Sequence, residues 1–137
     1  MAALTKAIYD VLVNDATLIA MLSTYKGQPA VFTSDPRPSD SSLPCVVTSG
    51  FVINSPNDTK TDLGRVIWRD VRCYDNPLGS DAIVENIAER IRTIFHRQII
   101  TISGYNNIIS EVEGPIVMNE ENAQGRILTI KLTIKEM

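Results

Sequence analysis

His96, Cys45 and Cys73 are the residues of this chain best equipped for nucleophilic or metal chemistry. One imidazole cannot supply a multi-histidine cluster, and with only two thiols beside it no standard four-ligand zinc pattern is complete. His96 ends a helical pattern, where a surface residue or a partner of the helix dipole is expected rather than the base of a Cys–His pair. The two cysteines are too few for a disulfide scaffold and read as small buried hydrophobes in a reducing compartment. Glu111 and Glu113 would share one face of a strand. A carboxylate pair can do acid–base work where burial separates the two pKa values, but beside a bend in a short strand a solvated face is expected. The run from Asp75 to Asp81 has the look of a calcium loop but lacks the alternating ligands and the terminal Glu, so it reads as a strand-to-helix turn. Phosphate-loop, dinucleotide and nucleophile-elbow motifs are missing. No cofactor, metal or enzymatic activity is expected.

The remaining charged groups suggest contact rather than catalysis. Arg65 and Arg69 point one way from a strand and Arg72 the other, while Arg90, Arg92 and Arg97 lie on a helix. A row of Arg on a chain of net charge −3 fits ion pairs between subunits. The same acidic balance argues against duplex nucleic acid as the main partner, since phosphate binding needs a surplus of Lys and Arg. No apolar run approaches the roughly 18 residues of a membrane span, and residues 1–6 lack the basic-then-apolar order of a signal peptide. Neither a membrane partner nor secretion is expected.

The elements that must position these groups follow from periodicity. Leu4, Ile8, Val11 and Leu12 recur as one helix face. Asp15 is placed to cap a second, short helix carrying Leu18, Ile19 and Leu22, which gives an αα-hairpin. Val31–Phe32 opens a strand. Residues 34–42, rich in Pro, Ser and Asp, form a loop. A strand is expected over Cys45–Ile53, with Gly50 as a bulge, then a polar loop over 54–62 and a long strand over Gly64–Tyr74. Ser80 is the expected cap of the strongest helix, whose Ile83, Ile87, Ile91 and Phe95, with Val84, Ala88 and Ile94 beside them, form a stripe meant to cross the sheet. Short strands are expected at 99–102, 108–112 and 115–118, with a loop over 120–125. In the last strand Leu128, Ile130, Leu132 and Ile134 alternate with Thr129, Lys131, Thr133 and Lys135, the mark of a sheet solvated on one face. The expected fold is α+β, a mostly antiparallel sheet with helices packed on one face, in the order ααβββαβββ. At 137 residues, 44% hydrophobic and 21% charged, it is expected to form one domain over 1–137.

Several of these segments carry a resemblance. A leading helix is followed by Asn14-Asp15-Ala16 and a short Leu-containing helix, a Val-Phe strand and a proline-rich loop. Next come Leu43-Pro44-Cys45-Val46-Val47, and a long strand ending Val71-Arg72-Cys73-Tyr74-Asp75 before an Ala-Ile helix. This pattern resembles the tail-completion, or tail-terminator, family of long-tailed bacteriophages over essentially the whole chain. Trp68-Arg69-Asp70 departs from the family's more regular alternation. The resemblance implies a structural virion protein, a minor tail protein of the neck assembled in the bacterial host cytoplasm. It would form a ring, commonly of six subunits, that caps the head-proximal end of the tail tube, stops tube growth and offers a surface for head joining. The alternative is a head–tail connector or other minor tail component. The implied partners are further copies of the chain, the tube protein and the head connector. The genome would pass through the lumen without sequence-specific binding. Lateral contacts are expected at Arg65, Trp68 and Arg69, because Arg and Trp anchor interfaces. Axial contacts with tube or connector are expected at Asp58, Lys60, Asp62, Glu120 and Glu121. Charge reversal at Arg69 is expected to weaken ring closure and leave the monomer folded. A small enzyme or ligand-binding domain would need convergent titratable groups in a pocket, and the sequence supplies no such set.

Overall fold

A computed structural model describes residues 2–34, 37–48, 51–56, 58, 63–77, 79–120 and 122–136; at 51–54 and 108 it describes the backbone alone. Helix α1 (Ala2–Asn14) buries Leu4, Ala7, Ile8 and Leu12, the expected face, with Val11 at its margin. Asp15 then caps α2 (Ala16–Ile19) by accepting a hydrogen bond from the Leu18 N–H at 2.9 Å. A two-stranded ribbon, β1 (Thr24–Tyr25) and β2 (Gln28–Pro29), follows. Its turn places Lys26 and Gly27 both at positive φ, the geometry that matches the twist of a two-residue hairpin. The sequence reading missed this ribbon, because Lys is a weak marker of positive φ.

The main sheet comprises β3 (Val31–Phe32), β4 (Cys45–Val47), β5 (Phe51–Pro56), β6 (Gly64–Asp75), β7 (Tyr105–Val117) and β8 (Gln124–Glu136). Its strand order is β3-β4-β6-β8-β7, and β5 also pairs with β6, beyond the end of β4. Among the described residues only the β3–β4 pair is parallel. Between β6 and β7 runs α3 (Ala82–Phe95). The α+β class and the mostly antiparallel sheet are as expected, and all three helices pack on one face of it. That face holds the large core, in which Ile87, Ile91 and Phe95 of α3 meet Ile67 and Val71 of β6 and Leu128, Ile130, Leu132 and Ile134 of β8.

Five local readings are corrected. The strand expected over 45–53 is two strands, both on β6, and Gly50 lies outside the described residues. Residues 99–102 form no strand: Ile102 makes an isolated bridge to Tyr105 while Ile100 and Ile102 turn into the core. The two short strands expected around Gly114-Pro115 are one strand, because β8 is long enough to pair with both halves across a register shift. The cap position of α3 is Asp81 rather than Ser80; Ser80 Oγ accepts only a 3.3 Å bond from the Ala82 N–H. Of the stripe expected on α3, Ile83 departs: it is exposed, while Ile87, Ile91 and Phe95 are buried together with Val84 and Ala88.

A smaller core lies on the other face at one end. There Tyr74, Cys45, Val47, Ala30 and Ala123 pack beneath Phe32 and Leu43. Tyr74 faces Gly125 across β6 and β8, and a Cβ at 125 would stand 2.7 Å from its ring. Only glycine admits the ring there.

Candidate functional site: the open face of the sheet

Beyond that small core no helix among the described residues covers the second face, and antiparallel register sets its residues in rows. One row runs Trp68, Lys131, Glu111 across β6, β8 and β7; the next runs Asp70, Thr129, Glu113. Lys131 Nζ stands 5.6 Å from the centre of the Trp68 ring, a cation–π contact on a half-buried surface. Thr129 Oγ1 donates to Asp70 Oδ1 at 3.3 Å, and Arg72 reaches the same carboxylate at 3.8 Å. Glu111 and Glu113 are exposed, as expected of a solvated pair. Their rows hold tryptophan, a cation and hydroxyls, which suit recognition of another surface.

The expected contact residues separate. Trp68 lies on the open face. Arg65, half-buried, pairs with Pro56 at the β5 edge on the opposite face. Arg69 lies on the helix-covered face in line with Ile67 and Val71 and is only 2% exposed. Burial lowers its pKa. It presents almost nothing to a neighbour, so reversal of its charge is expected to destabilise the monomer rather than spare it. Asp58 is exposed, and its Oδ1 accepts from the Gly64 N–H at 3.1 Å at the start of β6. Glu120 is exposed at a bridge with Ala123, near Tyr74. Burial, then Glu120, push the Tyr74 phenol up to about 12. Lys60, Asp62 and Glu121 lie outside the described residues.

The groups with latent chemistry are occupied. Both thiols are free and buried. Burial raises their pKa values to about 11 for Cys45 and about 12 for Cys73, far from a reactive thiolate. His96 Nδ1 accepts from the Val112 N–H at 3.1 Å, and the Arg97 N–H donates to the Ser110 carbonyl at 2.8 Å, so the end of α3 is tied to the outer edge of β7. Arg126 is buried and clamps the start of α3 through Glu85 and through Asp81 at 3.1 Å. Arg90 grips Asp15 with two bonds, at 2.8 and 2.6 Å. That pair, with a smaller contribution from the Leu18 N–H, holds the Asp15 carboxyl below its ordinary pKa against the opposing effect of burial. A groove of about 770 Å³ runs between α1 and residues 99–103, but its two charged residues, Lys6 and Asp10, neutralise each other at 2.6 Å. Among the described residues no three His, Cys, Asp or Glu gather as a metal site, and no helix is long and apolar enough to cross a membrane.

Sequence reasoning missed Lys131 as the partner of Trp68, and missed the outer strand β7 as an apolar edge. Ile116 and Val117 there are 64% and 61% exposed. Their β-branched character was legible; that no strand covers them was not.

Helices on one face and an open, rimmed second face define the class: an α+β domain with a broad uncovered sheet. No protein-family model matches the chain, and no curated protein does. Among solved structures, the fold is shared with a chain from the virion of a native gene transfer agent particle. The two align with a TM-score of 0.81 over 98% of this chain and 96% of that one, at 18% identity.

Proposed function

We propose that this chain is a structural virion protein of the neck. In this reading six copies form a ring that caps the head-proximal end of a tail tube, ends tube growth and presents a surface to the head connector. The observation that carries the reading is the shared fold along nearly the full length of both chains, the other being part of a virion. It joins the tail-terminator resemblance of the proline-rich loop and Leu43-Pro44 strand start. The chemistry fits a cap, which works by complementary shape and charge and breaks no bond: the thiols are buried, and His96 is engaged in holding an edge. In this assignment Trp68 and Arg65 make lateral contacts, Arg69 supports the strand that carries them, and Asp58, Lys60, Asp62, Glu120 and Glu121 meet the tube or connector. The protein would assemble in the host cytoplasm and remain in the virion.

Electron microscopy of a lysate from particles lacking this gene tests the reading. Overlong, headless tails beside filled heads are expected, because an uncapped tube keeps growing. Normal-length free tails beside finished heads would instead assign a connector role. Normal particles would overturn both.

A further inference from the structure

Two adjacent bonds tie the end of α3 to the outer edge of β7, and one of them runs through the chain's one histidine. His96 Nδ1 accepts from the Val112 N–H at 3.1 Å, and the Arg97 N–H donates to the Ser110 carbonyl at 2.8 Å. An imidazole nitrogen accepts only when it carries no proton. The first bond therefore requires a neutral His96 with its proton on Nε2. In the charged ring both nitrogens are donors, so Nδ1–H would face the Val112 N–H and no rotation of the ring would offer an acceptor.

We infer that this tie is an acid-released latch, closed by neutral His96 and opened by its protonation. The ring is half-buried, so protons reach it from solvent. A charged ring also has an alternative place. His96 stands at the C-cap of α3, where the helix dipole favours a cation. The Arg97 N–H would continue the helix ladder to the Thr93 carbonyl, but it is given to Ser110 instead. To make that bond Arg97 adopts a φ of 57°, the left-handed region that is unfavourable for a residue with a Cβ. Release lets this backbone relax. The charged groups on the ring's own segment are Glu89, Arg92 and Arg97, and residues 98–103 carry none. On β7, Glu111 and Glu113 flank Val112 and are exposed. In the row of Val112 across the sheet stand Ile130 and then Arg69. Opening is local, because Ile100 and Ile102 stay anchored in the core. It bares the Val112 N–H and the Ser110 carbonyl to water and frees the sheet edge from the helix that crosses it. The inference stands on the fold and is independent of the neck assignment.

Amide hydrogen exchange of the full chain, read by NMR and corrected for the intrinsic pH dependence of exchange, tests it. Imidazoles ordinarily titrate near about 6.5, so the measurement runs from about pH 7.5 to about pH 5. Val112 is expected to lose protection by about tenfold over that range, the worth of one hydrogen bond. Amides in the middle of β8 should keep theirs. His96→Asn replaces Nδ1 by an oxygen that accepts at every pH, and its Val112 protection should stay level. Equal losses in the parent and in His96→Asn would mean that acid loosens the whole fold, and would overturn the latch. A parent whose Val112 protection stays level would overturn it too. Should His96→Asn not fold, the nitrogen shifts of the parent's own ring decide. An unprotonated Nδ1 at neutral pH, with a Val112 amide shift that follows the ring's titration, is expected. A proton on Nδ1 at neutral pH would overturn the proposal.

Discussion

Strands β6 and β8 each carry two surfaces, one residue apart, that the tertiary structure puts to opposite uses. On the helix-covered face Ile67, Val71, Leu128, Ile130, Leu132 and Ile134 are fully buried. On the open face Val66, Trp68, Asp70, Thr129, Lys131 and Thr133 are half-exposed and touch one another rather than a second layer. A substitution on the first face is charged against folding. One on the second is charged against whatever the face meets. Arg69 and Arg126 are the exceptions, buried cations set among the residues of the covered face.

Arg69→Glu makes the sharpest break in that comparison. A reversed charge at a position 2% exposed is expected to cost about 3–5 kcal/mol. Urea denaturation of the variant checks this; a stability equal to that of the parent would return Arg69 to the surface. A paired test follows on β8. Ile130→Ala should cost about 2–5 kcal/mol through lost burial and a residual cavity. Its neighbour Lys131→Ala should cost under about 1 kcal/mol, the worth of an exposed cation–π contact. Denaturation midpoints of both, at equal m-values, read the contrast between the faces directly. The smallest effect concerns how the covering layer is fastened. Asp15→Asn retains a capping oxygen but loses the charge gripped by Arg90. The depressed Asp15 pKa means its stabilising contribution is complete above the ordinary carboxylate pKa and is lost as pH falls from about 4 through the lower folded value. The parent should therefore lose stability in that range more steeply than Asp15→Asn, as pH-dependent melts would show.

Much of the covered face was legible. The helices at α1 and α3, the cap at Asp15 and the alternation of β8 are local patterns, because a side chain's direction is set by backbone period over a few residues. The misplaced cap of α3 has a distant cause. Asp81 displaced Ser80 at the α3 cap position, and Asp81 itself is held by Arg126, 45 residues away along the chain. The open face was less legible. Trp68 and Arg69 stood side by side as contact residues, yet alternation sends them to opposite faces and only the packing of α3 decides which of those is buried. The continuity of β7 through Gly114-Pro115 was equally hidden, since it depends on the length of its partner.

The sequence by itself determined the α+β class, the antiparallel bias, the two inert cysteines and the in-or-out parity of each strand. These rest on composition, periodicity and turn chemistry, which act between near neighbours. Only the tertiary structure decided which parity meets the helices, that Lys131 lies against Trp68, and that β5 and β7 are left as edges. Those follow from strand order and register, which are fixed by pairings between residues distant in sequence.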